Sequence, residues 1–381
     1  MGAVSRSDQI LCIVGARPNF MKIAPIMRAF AQRDSALHAR LLHTGQHYDA
    51  AMKHAFFDQL HIPEPDVDLG VGSGSHAQQT ADIMKRFEPV LDETRPLAVL
   101  VVGDVNSTIA CALVAVKKGI PVIHVEAGLR SGDRAMPEEI NRILTDQLSE
   151  LLFITEASAL DNLAREGITA DKVHFVGNVM IDTLRYNLNN AVPARITLAK
   201  ADCTNEATAS ADYGLVTLHR PSNVDNPVVL ARLLKVLGEI SQRTPLLFPI
   251  HPRTASCIAG AGLEGLLADS AITTIPPQGY LEMLGLMKDA RVVLTDSGGI
   301  QEETTALGVP CITLRENTER PITVNQGTNT VAGTDVERIL ACYEDIMNTG
   351  GKVGRVPDLW DGKAAQRIVQ IVNQWATGLD G

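Results

Sequence analysis

Acidic side chains stand at the ends of two short apolar runs in the 381-residue chain. Asp104 follows the run at 97–102 after a single glycine, and Glu126 follows the run at 121–125 directly. A positioned carboxylate can take a proton from a substrate or return one, as general acid–base catalysis requires. Each residue also has a plainer interpretation, since Asp104 could cap the following helix and Glu126 could belong to a structural ion pair.

Basic side chains also follow apolar runs, where they could bind an anion. His219 and His251 each end such a run, and an arginine follows each within two residues. Arg17 and Lys22 come after the first apolar run of the chain. Imidazole, guanidinium and ammonium groups bind phosphate or carboxylate oxygens, and histidine can also donate a proton. The alternative is that these residues are ordinary solvent-exposed side chains without a function.

The string after the apolar run 292–295 is the strongest local signal for phosphate. It reads Asp296-Ser297-Gly298-Gly299 and leads into a helical pattern. Two glycines let a phosphate approach the backbone N–H groups at the start of a helix. Glu303 falls one turn into that helix, where its carboxylate could accept hydrogen bonds from a ribose. An ordinary Ser-Gly turn is the alternative.

The elements that must position these side chains are predicted by the apolar pattern. Runs rich in Val, Ile and Leu, typical of parallel strands buried on both faces, lie at 10–14, 97–102, 121–125, 152–155, 215–218, 246–250, 292–295 and 311–314. Helical patterns lie between them, for example at 107–118, 227–241 and 301–307. Such alternation predicts a doubly wound α/β fold, in which ligands bind at the carboxyl ends of the strands.

The alternation is interrupted once, between about residues 186 and 212, where the chain is polar and Ala-rich. We therefore predict a Rossmann-like N-terminal domain at 1–185, a second Rossmann-like, nucleotide-binding domain at 186–361, and a C-terminal helix within 362–381. Two such halves would face each other across a cleft, a usual place for a ligand.

Composition excludes several classes of protein. Lys and Arg number 34 against 44 Asp and Glu, and the net charge of −10 argues against nucleic-acid binding. No apolar run approaches the roughly 20 residues of a membrane helix, and the N-terminus lacks a signal core, which predicts a soluble cytoplasmic protein. The six cysteines form no CxxC pair, so neither a zinc cluster nor a disulfide framework is indicated. Cys12, Cys111 and Cys311 are expected in the core.

Several strings, taken together and in order, resemble the non-hydrolysing UDP-N-acetylglucosamine 2-epimerases. They are GARPNFMKIAP at 15–25, TGQHYD at 44–49, VGD at 102–104, HVEAGLRSG at 124–132, PEEINR at 137–142, GNVMID at 177–182, LHR at 218–220, DSGGIQEE at 296–303 and ERP at 319–321. The resemblance extends from about residue 9 to about residue 335. It implies the GT-B fold, a homodimer, a C-terminal helix that packs back towards the first half, and neither a metal nor a nicotinamide cofactor.

The reaction implied by the resemblance interconverts UDP-GlcNAc and UDP-ManNAc. UDP is eliminated from C1 while a base removes the C2 proton, and UDP then adds back to the 2-acetamidoglucal intermediate. Asp104, Glu126 and Glu138 are the carboxylates that would move protons and orient the sugar, and which of them is the base stays open. His219 would contact the diphosphate and protonate it. ManNAc derivatives supply surface polysaccharides.

The resemblance also implies contacts to the UDP moiety. The phosphates or sugar hydroxyls would be held by Arg17, Lys22, Ser297, Gly298, Gly299 and Arg320. Glu303 would bind the ribose, and Gln278 lies in the segment that contacts uracil.

The chain departs from the family pattern at several positions. Arg17-Pro18-Asn19 stands where Arg-Pro-Glu is common, and His219-Arg220-Pro221-Ser222-Asn223 stands where His-Arg-Arg-Glu-Asn is usual. Some bacterial members have a second, activating UDP-GlcNAc site, and the matching positions here are Gln46, His47, Glu139 and His251.

Four alternatives to the leading interpretation stay open at this point. The substrate could be a UDP-2,3-diacetamido uronic acid, or a hydrolysing relative could release UDP and ManNAc. A GT-B glycosyltransferase would share the fold, and a catalytically silent sensor would bind the sugar nucleotide without touching its C2 hydrogen.

Overall fold

The computed structural model describes residues 7–32, 35–46, 57–201 and 212–379. The chain divides into two compact units. Unit 1 comprises Met1–Tyr186 together with Asp358–Gly381, and unit 2 comprises Asn187–Pro357. Each unit is built on one parallel sheet with helices between successive strands.

The sheet of unit 1 has seven strands in the order β3-β2-β1-β4-β5-β6-β7. Their bounds are β1 Gln9–Val14, β2 His38–His43, β3 Val67–Asp68, β4 Ala98–Val102, β5 Val122–Ala127, β6 Leu151–Ile154 and β7 Val173–Phe175. The central strands are almost entirely apolar and buried, as expected for a parallel sheet covered on both faces. Strand order reverses beside β1, which creates a switch point where polar side chains at the strand ends can meet a ligand.

Within the described residues, six α-helices of unit 1 have defined bounds up to the boundary. They are α1 Arg17–Phe30, α2 His76–Thr94, α3 Asn106–Lys117, α4 Pro137–Leu148, α5 Ser158–Arg165 and α6 Val179–Asn187. The amphipathic helix α4 matters most for the site, because its inward face is polar rather than apolar: Glu139, Asn141, Arg142 and Asp146 are all buried.

Unit 2 repeats the design with six parallel strands in the order β10-β9-β8-β11-β12-β13. The strands are β8 Gly214–Thr217, β9 Leu246–Pro249, β10 Ile272–Ile275, β11 Val292–Thr295, β12 Cys311–Thr313 and β13 Asn329–Val331. The helices are α7 Ala194–Lys200, α8 Pro221–Val224, α9 Pro227–Ser241, α10 Pro252–Gly260, α11 Glu264–Ala268, α12 Tyr280–Lys288, α13 Gly298–Leu307, α14 Pro321–Asn325 and α15 Val336–Thr349. Asn226 caps α9 by accepting the N–H groups of Val228 and Val229, as its position before a proline suggests.

The last helix, α16 Ala364–Gly378, belongs to unit 1 and packs against α1. Ahead of it the buried Trp360 donates its indole N–H to the carbonyl of Thr155, and Asp182 accepts the N–H groups of Ala364 and Ala365. Residues 358–361 therefore lie in unit 1, whereas the sequence places them with the second domain. The physical reason is the indole ring, which is buried in unit 1.

Two predictions from composition have structural outcomes. Cys12, Cys111 and Cys311 are buried, which confirms their place in the core, while Cys203 lies outside the described residues. No helix in the described ranges is long and apolar enough to cross a membrane.

Candidate active site

The turn after β4 places Asp104 beside a crowded glycine. Gly103 has φ +68, where a side chain would be strained, and a Cβ there would lie 2.7 Å from the ammonium nitrogen of Lys22 and displace it. Asp104 does not cap α3, whose N-cap is Val105. Its carboxylate instead accepts a hydrogen bond from the buried guanidinium of Arg142. The guanidinium thereby holds the carboxylate in one orientation.

Glu126 lies at the end of the neighbouring strand β5 in a strained conformation. Its φ is +75, which is rare for a residue with a side chain, and the pairing of β5 with β6 shifts register at this point. Its carboxylate forms an ion pair with Lys22, and both side chains are at most 6% exposed. A Cβ on Gly103 would lie 3.4 Å from this carboxylate. Strain retained beside a buried charge is typical of a functional site.

Helix α4 supplies the partners of these acids. Glu139 accepts hydrogen bonds from the N–H groups of Ser131 (3.0 Å) and Gly132 (2.9 Å) and from Arg142 (2.6 Å). Burial alone would raise the pKa of Glu139, but these bonds outweigh it and hold the pKa below its ordinary value. Arg142 thus joins Glu139 to Asp104. Glu138 lies half-buried in the first turn of the same helix.

The loop before α1 is closed by Asn19, the residue that departs from the family pattern. Its Oδ1 accepts the N–H groups of Gly15 (3.2 Å) and Ala16 (3.0 Å), and its Nδ2 donates to the carbonyl of Val102 (3.0 Å). A carboxylate could not donate that last bond. Arg17 is the first residue of α1 and is half-buried.

In unit 2, His219 follows β8 and forms a dyad with Asp296. The ring Nδ1 lies 3.0 Å from Oδ1 of Asp296, which is fully buried and also accepts the N–H groups of His219 and Arg220. Burial opposes the charge of Asp296, but the hydrogen bond from His219 and the backbone donors outweigh it and lower its pKa. An ionised Asp296 fixes the proton on Nδ1 of a ring that is 39% exposed. Nε2 is then the ring nitrogen left to meet a ligand.

His251 lies close to this dyad. Its ring centroid is 5.9 Å from that of His219, and its Nδ1 accepts the backbone N–H of Arg253, which caps α10.

Backbone and guanidinium groups converge at the start of α13. The helix begins at Gly298 after Ser297, and a Cβ on Gly298 would lie 2.7 Å from a carboxylate oxygen of Glu319. The first N–H groups of a helix have no partner within it, and they attract anions.

An arginine cluster surrounds Glu319 at this helix start. Arg315 lies 2.8 Å, Arg320 3.1 Å and Arg220 3.6 Å from its carboxylate. Arg320 also lies 3.1 Å from Glu302. Burial would raise the pKa of Glu319, but the three arginines hold it far below its ordinary value. Three guanidinium groups at the start of one helix suit the binding of a phosphate.

Two further predicted residues belong to the neighbourhood of α12. Glu303 is buried on α13, where burial raises its pKa to about 8 although the hydroxyl of Tyr280 donates to it at 3.0 Å. Gln278 precedes α12, and its amide donates to the carbonyl of Pro276 (2.7 Å).

Comparison with known proteins assigns this pair of units to a family. The family model described as UDP-N-acetylglucosamine 2-epimerase matches residues 29–373. The chain belongs to that family. Because epimerases are isomerases, the protein is an enzyme of this class, as the sequence predicts.

Relatives of the epimerase family agree over almost the whole chain. A UDP-N-acetylglucosamine 2-epimerase of Methanococcus maripaludis is 42% identical over 94% of this chain and 97% of its own length. A UDP-2,3-diacetamido-2,3-dideoxy-D-glucuronate 2-epimerase of Pseudomonas aeruginosa is 42% identical over 96% and 99%. The crystal structure of the Methanocaldococcus jannaschii UDP-GlcNAc 2-epimerase with UDP-GlcNAc and UDP has a TM-score of 0.85 at 41% identity, covering 96% of this chain and 99% of that one. The predicted GT-B fold is confirmed.

The site residues implied by the epimerase resemblance are divided between unit 1 and unit 2. In unit 1 the structure brings Lys22 and Glu126 together around Gly103. Gln46 is buried and accepts both the N–H and the O–H of Ser107 (3.2 and 2.7 Å). His47 lies outside the described residues.

Sequence reasoning missed the partners that hold the predicted residues in place. They are Arg142, Asp296, Glu319 and Arg315, with His124 and Asp146 beneath the Gly103 turn. Asp296 and Arg142 stand inside the strings DSGGIQEE and PEEINR, and that was the signal available for them.

Proposed function

We propose that this protein is a non-hydrolysing UDP-N-acetylglucosamine 2-epimerase that interconverts UDP-GlcNAc and UDP-ManNAc. One observation carries the proposal. Two acids at adjacent strand ends, Asp104 and Glu126, are each paired with a buried cation, Arg142 and Lys22 respectively. Inversion at C2 moves protons on opposite faces of the sugar, so it needs more than one positioned acid.

The C2 proton is removed together with departure of UDP, because that proton is not acidic by itself. A carboxylate takes the proton, the C2–H electrons form the C1=C2 bond, and UDP leaves with the electrons of the C1–O bond. Return of a proton to the other face of the 2-acetamidoglucal, with re-addition of UDP to C1, completes inversion. Asp104, Glu126 and Glu138 provide the carboxylates. The ammonium of Lys22 pairs with the carboxylate of Glu126 and holds it in place at the strand end.

Departing UDP needs donors that stabilise its developing charge. His219, oriented by Asp296, provides one at the diphosphate and can protonate it. The hydroxyl of Ser297, the N–H groups of Gly298 and Gly299, and the guanidinium groups of Arg17 and Arg320 provide the others. In this proposal Glu303 binds the ribose and Gln278 the uracil.

A second substrate is favoured by one relative. The Pseudomonas aeruginosa 2-epimerase named for a UDP-2,3-diacetamido uronate is as similar to this chain, at 42% identity, as the archaeal relative named for UDP-GlcNAc. A UDP-2,3-diacetamido uronic acid is therefore the alternative substrate. Hydrolysis to UDP and ManNAc is the alternative outcome with UDP-GlcNAc itself.

We further propose that the enzyme is a cytoplasmic homodimer that supplies surface polysaccharide synthesis. Exposed apolar side chains on the packed helices α3 and α4 support the dimer, namely Val116 (37% exposed), Ile140 (40%) and Leu144 (48%). A second UDP-GlcNAc site at Gln46, His47, Glu139 and His251 stays a proposal.

The test is a proton NMR time course with UDP-GlcNAc in heavy water without added metal. UDP-ManNAc with deuterium at C2 is the expected product, and Asp104→Asn should slow its formation at least about 100-fold. Asp92→Asn, on the exposed face of α2, is the matched control. Free UDP with ManNAc would establish the hydrolysing reaction instead. An unchanged spectrum would reject UDP-GlcNAc and direct the assay to the diacetamido uronic acid.

A further inference from the structure

A histidine lies where the apolar pattern of β5 calls for a hydrophobic residue. His124 is fully buried in the middle of that strand. Its Nε2 lies 2.9 Å from the carbonyl oxygen of Gly103, and its Nδ1 lies 2.6 Å from Oδ1 of Asp146. A carbonyl oxygen only accepts hydrogen bonds, so Nε2 must carry a proton. The state of Nδ1 depends on Asp146.

Asp146 has the surroundings of an ionised carboxylate. Its Oδ2 accepts the N–H of Gly128 at 3.0 Å and a guanidinium N–H of Arg130 at 2.7 Å. Burial opposes its charge, but His124 and Arg130 outweigh burial and lower its pKa. An ionised Asp146 can only accept hydrogen bonds, which calls for a proton on Nδ1 of His124, and the 2.6 Å separation suits a charge-assisted bond.

The charged groups His124, Asp146, Arg130 and Glu166 contact one another in series, from beneath the Gly103 turn towards the surface. Arg130 is bidentate to Glu166 (2.8 and 2.6 Å), whose side chain is 26% exposed. Two cations, His124 and Arg130, then balance two anions, Asp146 and Glu166. Such a series of buried ion pairs contributes little to the free energy of unfolding compared with apolar packing of equal volume. Its presence therefore calls for another role.

This series of charged groups reaches the carbonyl of Gly103, the residue before Asp104. Helix α4 carries residues that contact Asp104 directly and Gly103 through His124. From this one helix Asn141 donates to the backbone carbonyl of Asp104 (2.9 Å), and Arg142 donates to its carboxylate. Asp146, one turn further along, acts through His124 on the carbonyl of Gly103. The carbonyl of Gly103 and the carbonyl and carboxylate of Asp104 are thus all positioned by residues of α4, directly or through His124.

We propose that His124 is a positioning residue: a doubly protonated imidazolium, held by Asp146, that fixes the Gly103 carbonyl and thereby aims the carboxylate of Asp104. The kinetic consequence rests on the proposed epimerase function, whereas the protonation of the ring does not. His124 touches no substrate in this scheme.

The first test needs no substrate. Long-range ¹H–¹⁵N correlation at pH 7.5 on ¹⁵N-labelled full-length protein, with the His124 signals assigned by their loss in His124→Gln, should show both nitrogens protonated. In Asp146→Asn the spectrum should change to that of a neutral ring with one unprotonated nitrogen. A neutral His124 in the native protein would overturn the proposal.

The second test separates positioning from general damage to the fold. Gln can still donate to Gly103 but cannot also donate to Asp146, so His124→Gln should lower kcat about 100-fold, as small misplacements of a catalytic group do. The Kd for UDP should stay unchanged, because UDP is assigned to other residues. The neutral pair His124→Gln/Asp146→Asn restores a matched set of polar groups and should recover part of kcat.

The control and the contrary outcomes are defined by a second histidine of the same sheet. His174→Gln, on the outer strand β7, should leave kcat unchanged. Equal loss of kcat and of UDP affinity in His124→Gln, or an unchanged kcat, would overturn positioning. If UDP-GlcNAc is not turned over at all, the proposed function fails, the NMR test still decides the protonation, and the kinetic test is run with the diacetamido uronic acid.

Discussion

At the scale of single residues, Asn19 joins the loop after β1 to the end of β4 through one amide group. In Asn19→Asp a carboxylate oxygen would face the Val102 carbonyl in a buried site, which should lower the free energy of unfolding by about 1–3 kcal/mol. Asn226→Asp makes the same chemical change at a helix N-cap, where Asp is as good as Asn. Urea unfolding followed by circular dichroism measures both, and equal losses would contradict this account.

Glu303 should make stability depend on pH. Its pKa is raised to about 8 in the folded protein from an ordinary value of 4.5, chiefly by burial. The folded state then binds the extra proton, so this residue's contribution is complete below pH 4.5 and is lost as pH rises towards 8. Native protein should lose up to about 1.4 kcal/mol per pH unit relative to Glu303→Gln within that window.

Thermal melts of both proteins at pH 5.5, 7 and 8.5 measure this difference. A constant difference between Glu303→Gln and the native protein across the three values would show that Glu303 titrates normally.

Types of side chain were predictable at this scale, but their partners were not. Asp104 and Glu126 were predicted because each ends an apolar run. The residues that hold the site in place are far away in sequence: 77 positions separate His219 from Asp296, and 38 separate Asp104 from Arg142. Such pairs exist only through the order of strands, which local patterns in one sequence do not encode.

At the scale of elements, the start of α13 depends on the absence of a side chain at its first residue. Gly298→Ala would press a methyl group against Glu319 and shift the arginine cluster, so UDP should bind about tenfold more weakly, or ~1.4 kcal/mol. Gly238→Ala is the matched change inside α9, where the new methyl meets only Ser270 at 3.7 Å. It should stabilise the protein by about 0.5–1 kcal/mol.

Calorimetric titration with UDP and thermal melts of both glycine variants measure these effects. Unchanged UDP affinity in Gly298→Ala would mean that the helix start does not bind the phosphates.

The apolar pattern predicted central elements well and outer ones poorly. The run 292–295 coincides with β11, and the pattern 227–241 coincides with α9. Strands β2, β3, β7, β10 and β13 were not predicted. In β2 and β10, exposed or partly exposed polar residues such as His38 and Thr274 stand among few apolar ones. Strands away from the middle of a sheet are covered less completely by helices, so fewer of their residues need to be apolar.

At the scale of the whole molecule, Trp360 packs residues 358–379, which follow unit 2 in sequence, against unit 1. Trp360→Ala should cost about 3–5 kcal/mol, because a fully buried ring and its bond to Thr155 are lost together. Trp375→Ala, at a half-buried position of α16, should cost much less. Hydrogen exchange should speed up in α16 and β6 of Trp360→Ala and not in α9 of unit 2. Equal acceleration in both units would contradict this division.

The return of residues 358–379 to unit 1 has a consequence for synthesis on the ribosome. Translation is vectorial, so residues 7–186 emerge long before the helix and the indole that complete their packing. The whole of unit 2 must be translated in between. During that interval α1 lacks the packing of α16, and Asp182 lacks the N–H groups of Ala364 and Ala365 that it accepts in the folded protein. Nascent chains of this enzyme should therefore acquire full protease resistance in residues 7–186 only after residues 358–379 have left the ribosome.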